Sequence, residues 1–278
     1  MLLPRFLTAV IGMPLLILAI WWGQIPYLTL FFGISLLALY EYFCLAEEAG
    51  WPVFKTLGLI LGACLGLSVF LFGTKMGFSR EVRPEIYFTP AVVSAILFAL
   101  MIAALFSHEK DQAFLGIGIT LLGIFYVVWG LSHLYLIRDL RPDGRGYAFF
   151  LFIVVWAMDI GAYVGGTQFG RKKLYEGVSP KKTWEGLFTG IAASLVAAQI
   201  SRAAFLPAFS VSRAFYMGLG VAILAQLSDL SESLFKRNVG VKDSGALLPG
   251  HGGILDRFDS FLLTAPIYYY ALVFLTKP

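Results

Sequence analysis

The sequence is short of charged residues, and this shortage excludes an ordinary soluble protein. Only 14% of the 278 residues are Asp, Glu, Lys or Arg, whereas 59% are hydrophobic. Soluble domains usually carry charge on about a quarter of their residues. With a mean hydropathy of +0.80, the chain is predicted to be an integral membrane protein.

Cysteine is also scarce, and strong net charge is missing. Cys44 and Cys64 lie in separate apolar runs, without a CxxC pair or a Cys/His partner. They indicate neither a disulfide framework nor a zinc site. The formal net charge of +4 is small and spread over short loops, as expected for Lys and Arg near a bilayer. We expect no nucleic-acid partner.

Apolar runs long enough to cross a bilayer occur nine times in the chain. They cover about 4–23, 27–46, 55–73, 89–107, 113–137, 148–168, 186–206, 214–236 and 257–276. We expect an all-α polytopic membrane protein with one membrane domain, 1–278, and a retained first span. Residues 1–147 hold the apolar spans one to five, and residues 148–278 hold the catalytic spans six to nine. The polar site is predicted on spans six, eight and nine.

Lys and Arg residues are distributed unevenly between the two sides of these spans. Twelve lie on the side of the N-terminus and nine on the opposite side. Cytoplasmic loops carry the excess of Lys and Arg. We therefore expect the N-terminus and the loops after spans six and eight on the cytoplasmic side.

Span eight ends in a polar stripe. Asp229, Glu232, Ser233 and Lys236 stand at i, i+3, i+4 and i+7, so they share one helix face. A charge near the bilayer centre costs about 2.5–3.5 kcal/mol, so the acids need partners. Magnesium is one, because it binds carboxylate oxygens and keeps waters and phosphates as further ligands. The alternative is that both acids pair with Lys236 and Arg237 at an ordinary helix end.

A glycine-rich loop joins span eight to span nine. Glycine lets backbone N–H groups wrap phosphate oxygens, and a helix start adds its positive dipole end. Acids and a basic residue follow at once, which favours a site for metal and phosphate. The alternative is a flexible loop in which His251 only packs. The residues concerned are Lys242, Asp243, Gly250, His251, Gly252, Gly253, Asp256, Arg257 and Asp259.

Span six and the loop after it add further candidates. Asp159 lies near the middle of span six, and ionisable residues at that depth usually serve a function; the alternative is a buried helper of helix packing. The following loop either binds nucleotide or lipid phosphate, or only follows the positive-inside rule and contacts anionic headgroups. The basic and hydroxyl residues concerned are Arg171, Lys172, Lys173, Ser179, Lys181, Lys182 and Thr183.

The stretch from Ser233 to Asp259, SLFKRNVGVKDSGALLPGHGGILDRFD, resembles the signature of the phosphatidate cytidylyltransferase (CDP-diacylglycerol synthase) family. That signature reads S, two residues, K-R, four residues, K-D, then G, L-P, H-G-G and D-R-x-D. Trp156, Asp159, the run SPKKTWEG and segment 229–233 are also similar to family features. Ser228 stands where a glycine is expected. The resemblance covers about the last 120 residues.

The resemblance implies transfer of CMP from CTP to phosphatidic acid, with magnesium and a second ion such as potassium. Asp229 and Asp259 would be the principal metal ligands, completed by Asp256 and Glu232. Lys236, Lys242 and Arg257 would bind the triphosphate, and Gly250 to Gly253 would hold phosphate oxygens. The remaining catalytic and substrate-binding candidates are Asp243, His251, Asp159, Ser179, Lys181, Lys182, Thr183 and Ser233.

The implied partners are CTP, phosphatidic acid and membrane lipids, and a homodimer is left open. The implied location is the cytoplasmic (inner) membrane of a bacterial cell, with the active site facing the cytoplasm. Two alternatives remain. A CTP-dependent lipid kinase of the polyprenol type would use similar groups. An ion-coupled secondary transporter also places acids beside glycine-broken helices, but in two related halves, and polar residues at depth occur here in one half only.

Overall fold

The computed structural model describes residues 3–72, 87–107, 110–245 and 252–275. These residues are mostly helical. A 3₁₀ turn, Lys110–Gln112, precedes α5, and a π-helical segment, Ile124–Trp129, joins α5 to α6. The helices are α1 (Leu3–Trp22), α2 (Gln24–Glu48), α3 (Lys55–Phe72), α4 (Phe88–Leu105), α5 (Ala113–Gly123), α6 (Gly130–Asp139), α7 (Gly144–Phe169), α8 (Trp184–Phe205), α9 (Val211–Asn238), α10 (Leu255–Leu262) and α11 (Thr264–Leu275).

Eight helical stretches in the described part of the chain are long and apolar enough to cross a membrane. The α1 helix adds a shorter apolar stretch, Gly12–Trp22. Each of the nine predicted spans therefore coincides with helical structure, and the prediction of an all-α polytopic membrane protein is confirmed. The eight stretches are Ile25–Glu48, Lys55–Phe72, Phe88–Leu105, Lys110–Asp139, Gly144–Phe169, Trp184–Phe205, Val211–Asn238 and Leu255–Leu275.

The last span differs from the predicted single helix, because it breaks at Leu263 between α10 and α11. Pro266 has no backbone N–H and cannot donate to the carbonyl of Leu262 one turn earlier. The N–H of Leu263 instead donates to the hydroxyl of Ser228 on α9, at 3.1 Å. A side chain on a neighbouring helix thus stabilises the break.

The basic loop after α7 contains a short β-hairpin that the sequence pattern did not predict. Strand β1 (Lys173–Tyr175) pairs with β2 (Ser179–Thr183) in antiparallel fashion. Lys173 lies opposite Thr183, and Tyr175 lies opposite Ser179. The run SPKKT is therefore a strand and not an irregular loop.

The chain divides into two compact units by its own contacts. Unit 1 contains residues 1–136 and 239–257, and unit 2 contains residues 137–238 and 258–278. The predicted boundary at residue 147 assigns the loop after α9 to the second half, whereas the described residues of that loop group with the N-terminal helices in unit 1. The single membrane domain stays a prediction.

Unit 2 contains a close pair of helices, α7 and α8, that meet at small residues. A Cβ atom added at Gly161 would lie 2.7 Å from the Cβ of Ala193 and 3.0 Å from the Cα of Gly190. Thr189 donates a hydrogen bond of 3.0 Å to the carbonyl of Gly161. The predicted close helix packing through the glycines of span six is confirmed, and it holds Asp159 beside α8.

Candidate active site

Two acids of α9 form ion pairs with lysines. The Nζ atom of Lys182 lies 2.6 Å from Oδ2 of Asp229, and Nζ of Lys236 lies 2.6 Å from Oε2 of Glu232. The Glu232 side chain is fully buried, so its charge depends on the nearby ammonium group. The alternative that both acids pair with Lys236 and Arg237 at the helix end is therefore correct for Glu232. Asp229 instead forms its ion pair with Lys182 on the hairpin.

The hairpin is held in place at three points, and this positions Lys182. The N–H of Trp184 donates to the carbonyl of Lys172 at 3.0 Å and closes the hairpin base. The N–H groups of Arg171 and Lys172 donate to the Glu185 carboxylate. From α9, Nε of Arg237 donates to the carbonyl of Val178 at 3.1 Å. These bonds fix the strand that carries Lys182.

Thr183 lines the cavity described below and also caps the start of α8. Its hydroxyl oxygen accepts the N–H of Gly186 at 3.1 Å, so Thr183 is the N-cap of α8. The residue is only 7% exposed, because its side chain faces the helix start. The hydroxyl accepts a bond as the helix N-cap and keeps its own proton for donation, so the expectation that Thr183 donates to a substrate phosphate stays a prediction. Ser179 lies half-buried in β2, opposite Tyr175.

Asp259 brings a further carboxyl group into this acidic region of unit 2. Its carboxylate accepts hydrogen bonds from the N–H and the hydroxyl of Ser260, at 2.5 and 3.2 Å. It lies within electrostatic range of the carboxyl groups of Asp229, Glu232 and Asp159. Like charges at short range repel, so a bound cation would stabilise this arrangement.

Ser228 and Ser233 orient two of these acids. The Ser228 hydroxyl donates to the backbone carbonyl of Asp259, and so links α9 to α10. The Ser233 hydroxyl donates to Oδ1 of Asp229 at 3.3 Å, one turn along the same helix. Ser233, predicted to bind substrate, thus contacts the principal acid of the site.

The donor set of this region suits magnesium. Among the residues that the structure describes, no three His, Cys, Asp or Glu side chains are grouped closely enough to hold a metal ion by themselves. Magnesium needs no such cage, since one or two carboxylates plus water and substrate phosphates complete its ligands. Asp229 and Asp259 supply two carboxylates of that kind, and their role as metal ligands stays a prediction.

A cavity of about 350 Å³ opens beside Asp229 in unit 2. That volume lies within the usual range for small-molecule sites, about 300–1,000 Å³. Cationic and anionic side chains both line it, so it can hold a phosphate group together with a cation. The charged and polar lining residues include Asp159, Tyr163, Lys181, Lys182, Gln226 and Asp229.

In unit 1, described residues of the signature bind a buried carboxylate that is not among the predicted site residues. Glu41 of α2 is 4% exposed. It accepts hydrogen bonds from the N–H groups of Ile254 and Leu255, at 2.9 and 2.8 Å, and from the Ser244 hydroxyl at 3.2 Å. In the sequence, Glu41 is the one formal charge well inside the first five predicted spans, and that isolation is the signal that could have identified it.

Asp256 completes the hydrogen bonding at the start of α10. Its Oδ2 atom accepts the N–H groups of Ser244 and Gly253, at 2.8 and 2.9 Å. The N–H of Asp256 donates to the Ser244 hydroxyl at 3.3 Å. Asp256 therefore binds the backbone just before α10 to the first turn of that helix, and its predicted role as a catalytic residue and metal ligand stays a prediction.

The backbone N–H groups at the start of α10 are bonded to protein side chains in this structure, whereas the sequence predicts that glycine N–H groups of this loop bind phosphate. The four N–H groups of residues 253–256 all donate to side chains: to Asp256, to Glu41 twice, and to Ser244. The N–H of Gly253 is bonded to the Asp256 carboxylate in this structure, and its binding of phosphate stays a prediction. Gly252 adopts a φ of 81°, which few other residues tolerate, and so forms the turn into the helix.

The other predicted residues of this loop are exposed or lie outside the described part. Lys242, Asp243 and Arg257 are exposed in unit 1, where they are accessible to a ligand. Gly250 and His251 lie outside the described residues. Their roles stay predictions.

Comparison with known proteins identifies the family. The sequence model of the Cytidylyltransferase family matches residues 3–275. This chain belongs to the cytidylyltransferase family.

Three relatives are named phosphatidate cytidylyltransferase. The Bacillus subtilis protein is 31% identical over 271 residues, 96% of each chain. The Rickettsia bellii protein is 39% identical over 63% of this chain and 78% of its own. The Synechocystis protein is 46% identical over 48% of this chain and 45% of its own.

Family membership extends the likeness beyond the signature. The predicted resemblance covers about the last 120 residues, whereas the match to the cytidylyltransferase family begins at residue 3. The apolar helices of unit 1 are thus part of the family fold. This agrees with a structure in which α2 contributes Glu41 to the signature loop.

Proposed function

We propose that this protein transfers the CMP group of CTP to phosphatidate, forming CDP-diacylglycerol and pyrophosphate. A phosphate oxygen of the lipid attacks the α-phosphorus of CTP and forms the new P–O bond. The bond from the α-phosphorus to the bridging oxygen breaks, and its electron pair leaves with pyrophosphate. The family and the printed names of the relatives support this reaction.

The observation that carries the proposal is the charge arrangement around the cavity in unit 2. Lys181 and Lys182 line it together with Asp159 and Asp229. Lysines can bind a phosphate group, and carboxylates can bind the cation that accompanies it. Both substrates carry phosphate, so the cavity matches their shared chemistry.

This reaction needs positioning more than it needs a general base. A phosphate monoester with a second pKa of about 6 is already ionised at neutral pH. The attacking oxygen therefore has no proton to lose. Holding the two substrates in line and neutralising their charge accounts for the catalysis, as in other phosphoryl transfers.

Within this reaction, Lys181 and Lys182 hold phosphate oxygens in the cavity, and Lys236 adds positive charge on α9. Lys242, Asp243 and Arg257, exposed in unit 1, are proposed to contact the triphosphate. Asp229 and Asp259 are proposed to hold magnesium, which supplies charge neutralisation on the phosphates when bound. Glu232 is proposed to complete the ligands of the magnesium ion. Potassium is proposed as the second ion.

The proposed location is the bacterial cytoplasmic membrane, with the cavity facing the cytoplasm, where CTP is available. The bacterial relatives and the eight apolar stretches among the described residues support an integral multi-pass protein. The excess of Lys and Arg on the N-terminal side supports the orientation.

The test is product analysis with the purified full chain in detergent–lipid micelles. With CTP, phosphatidate and magnesium, we expect release of pyrophosphate and formation of a CMP-bearing lipid. A lipid kinase would release CDP and leave no cytidine on the lipid. Absence of pyrophosphate, together with ion-driven uptake in sealed vesicles, would reject the proposal in favour of transport.

A further inference from the structure

Glu41 is a charged residue in the apolar half of the chain, and its surroundings are unusual. It lies in α2 with 4% of its surface exposed. Placing a charged side chain near the centre of a bilayer costs about 2.5–3.5 kcal/mol. Its carboxylate accepts two backbone N–H groups and a serine hydroxyl, and charge-assisted bonds of this kind offset such a cost.

The partners of Glu41 flank the middle of the signature loop. Ser244 precedes residues 246–251, and Ile254 and Leu255 follow them. One carboxylate therefore joins the two ends of the loop, in the same manner as Asp256. Ser244 and residues 254–255 are therefore held at a fixed separation from each other.

Two signature glycines lie directly against this carboxylate. A Cβ atom added at Gly253 would lie 2.5 Å from Oε2 of Glu41, and one added at Gly245 would lie 3.0 Å from Oε1. Both distances are shorter than ordinary contacts, so side chains at these positions would push the carboxylate away. The two glycines therefore allow Glu41 to approach the backbone.

We propose that Glu41 is a positioning residue for the proposed nucleotidyl transfer. It holds residues 242–245 beside residues 252–257, so that Lys242, Asp243 and Arg257 meet the triphosphate of CTP. Lys242 and Asp243 directly precede Ser244, and Arg257 lies in the first turn of α10, next to the amides that Glu41 binds. This inference rests on the proposed function, since it assigns the loop to CTP.

A cavity beside Glu41 provides a reporter that does not depend on activity. Its volume is about 310 Å³, and its lining includes Tyr40, Cys44, Glu48, Asp243 and Gly245. Cys64 is exposed on α3, so replacing it by serine leaves Cys44 as the only thiol. The rate at which a water-soluble maleimide modifies Cys44 then reports the position of the loop.

The experiment compares Glu41→Gln with Glu48→Gln in the Cys64→Ser protein. Both variants remove one negative charge from α2 at the same cavity, but Glu48 is exposed at the helix end. For Glu41→Gln we expect kcat/KM for CTP to fall about 10- to 100-fold, with a higher KM for CTP and an unchanged KM for phosphatidate. Cys44 should react several-fold faster. Glu48→Gln should behave like the parent protein.

Glu41→Asp serves as the variant that keeps the charge. Its shorter side chain should preserve folding and give intermediate kinetics and labelling. A merely structural role would lower the amount of active protein and leave KM for CTP unchanged.

Three results would overturn the proposal: parent-like kinetics in Glu41→Gln, equal changes in Glu41→Gln and Glu48→Gln, or lost activity with an unchanged Cys44 rate. Failure of the parent protein to release pyrophosphate would reject the proposed function instead, and the labelling rates would still decide whether Glu41 holds the loop.

Discussion

Two acids of unit 1, Glu41 and Asp256, and two acids of unit 2, Asp229 and Glu232, are stabilised by different partners. In unit 1, Glu41 and Asp256 are bound by backbone N–H groups and a serine hydroxyl. In unit 2, Asp229 and Glu232 are bound by lysine side chains. Backbone amides belong to the fold and cannot leave, whereas a lysine is long and flexible. The first pair of acids is therefore suited to holding structure, and the second to exchanging partners with a cation or a phosphate.

Replacing Asp229 by asparagine should show most clearly that a lysine-bound acid serves the chemistry and not the fold. We expect activity to fall about 100- to 1,000-fold, because the cavity loses a carboxylate while the helix keeps its packing. The measurement is pyrophosphate release, with thermal unfolding in detergent to show that the protein is folded. Glu176→Gln, an exposed acid of the hairpin turn, is the matched control and should retain activity. A folded, fully active Asp229→Asn protein would remove Asp229 from the proposed chemistry.

Lys182→Met tests the lysine side of the comparison. The change removes the ammonium group that lies 2.6 Å from Asp229, so we expect activity to fall about 10- to 100-fold with a higher KM for a phosphate-bearing substrate. Lys173→Met, in the neighbouring strand, keeps the hairpin and should have little effect. Equal losses in the two variants would mean that only the net charge of the hairpin matters.

Gly165→Ala should act on stability and not on chemistry. An added Cβ would clash with the Thr189 side chain on α8, and overpacking of this kind costs about 1–3 kcal/mol. The expected result is a lower unfolding temperature in detergent, with activity per folded molecule less affected. Gly220→Ala on α9, where a Cβ meets nothing within 4 Å, is the control and should not destabilise. Equal unfolding temperatures would show that α7 and α8 can separate slightly without cost.

Ser228→Ala should have the smallest effect of the four. It leaves the N–H of Leu263 without its partner at the break between α10 and α11, which costs about 1 kcal/mol. Ser231→Ala, three residues along α9 with its hydroxyl bonded to its own helix, is the control. A loss of activity larger than the loss of stability would show that the break also sets the position of Asp259.

The helical spans could be predicted from the sequence because length and hydropathy are local properties. The role of Glu41 could not be predicted in this way, because Glu41 bonds to Ser244 across a separation of 203 residues. No local pattern links a lone acid in α2 to a loop so far along the chain. The acidic stripe of α9 could be predicted from helical spacing, but its lysine partner on β2 could not, since SPKKT does not alternate between apolar and polar residues.

Ser228 shows a further limit. In the resemblance it stands in place of a glycine, which suggests only a small change in packing. The structure shows a hydroxyl that bonds both to Asp259 and to Leu263. Its importance comes from the helix break beside Pro266, and that break depends on tertiary contacts.

The hairpin turn at Glu176 and Gly177 offers a place for a topology marker. Both residues are exposed, and a Cβ at Gly177 would meet nothing within 4 Å, while Val178 beside them is buried. A short epitope or protease site inserted between Glu176 and Gly177 should leave the strands paired. Because β2 carries Lys182, cleavage of such an insert in intact or inverted vesicles would reveal on which side of the membrane the proposed chemistry takes place.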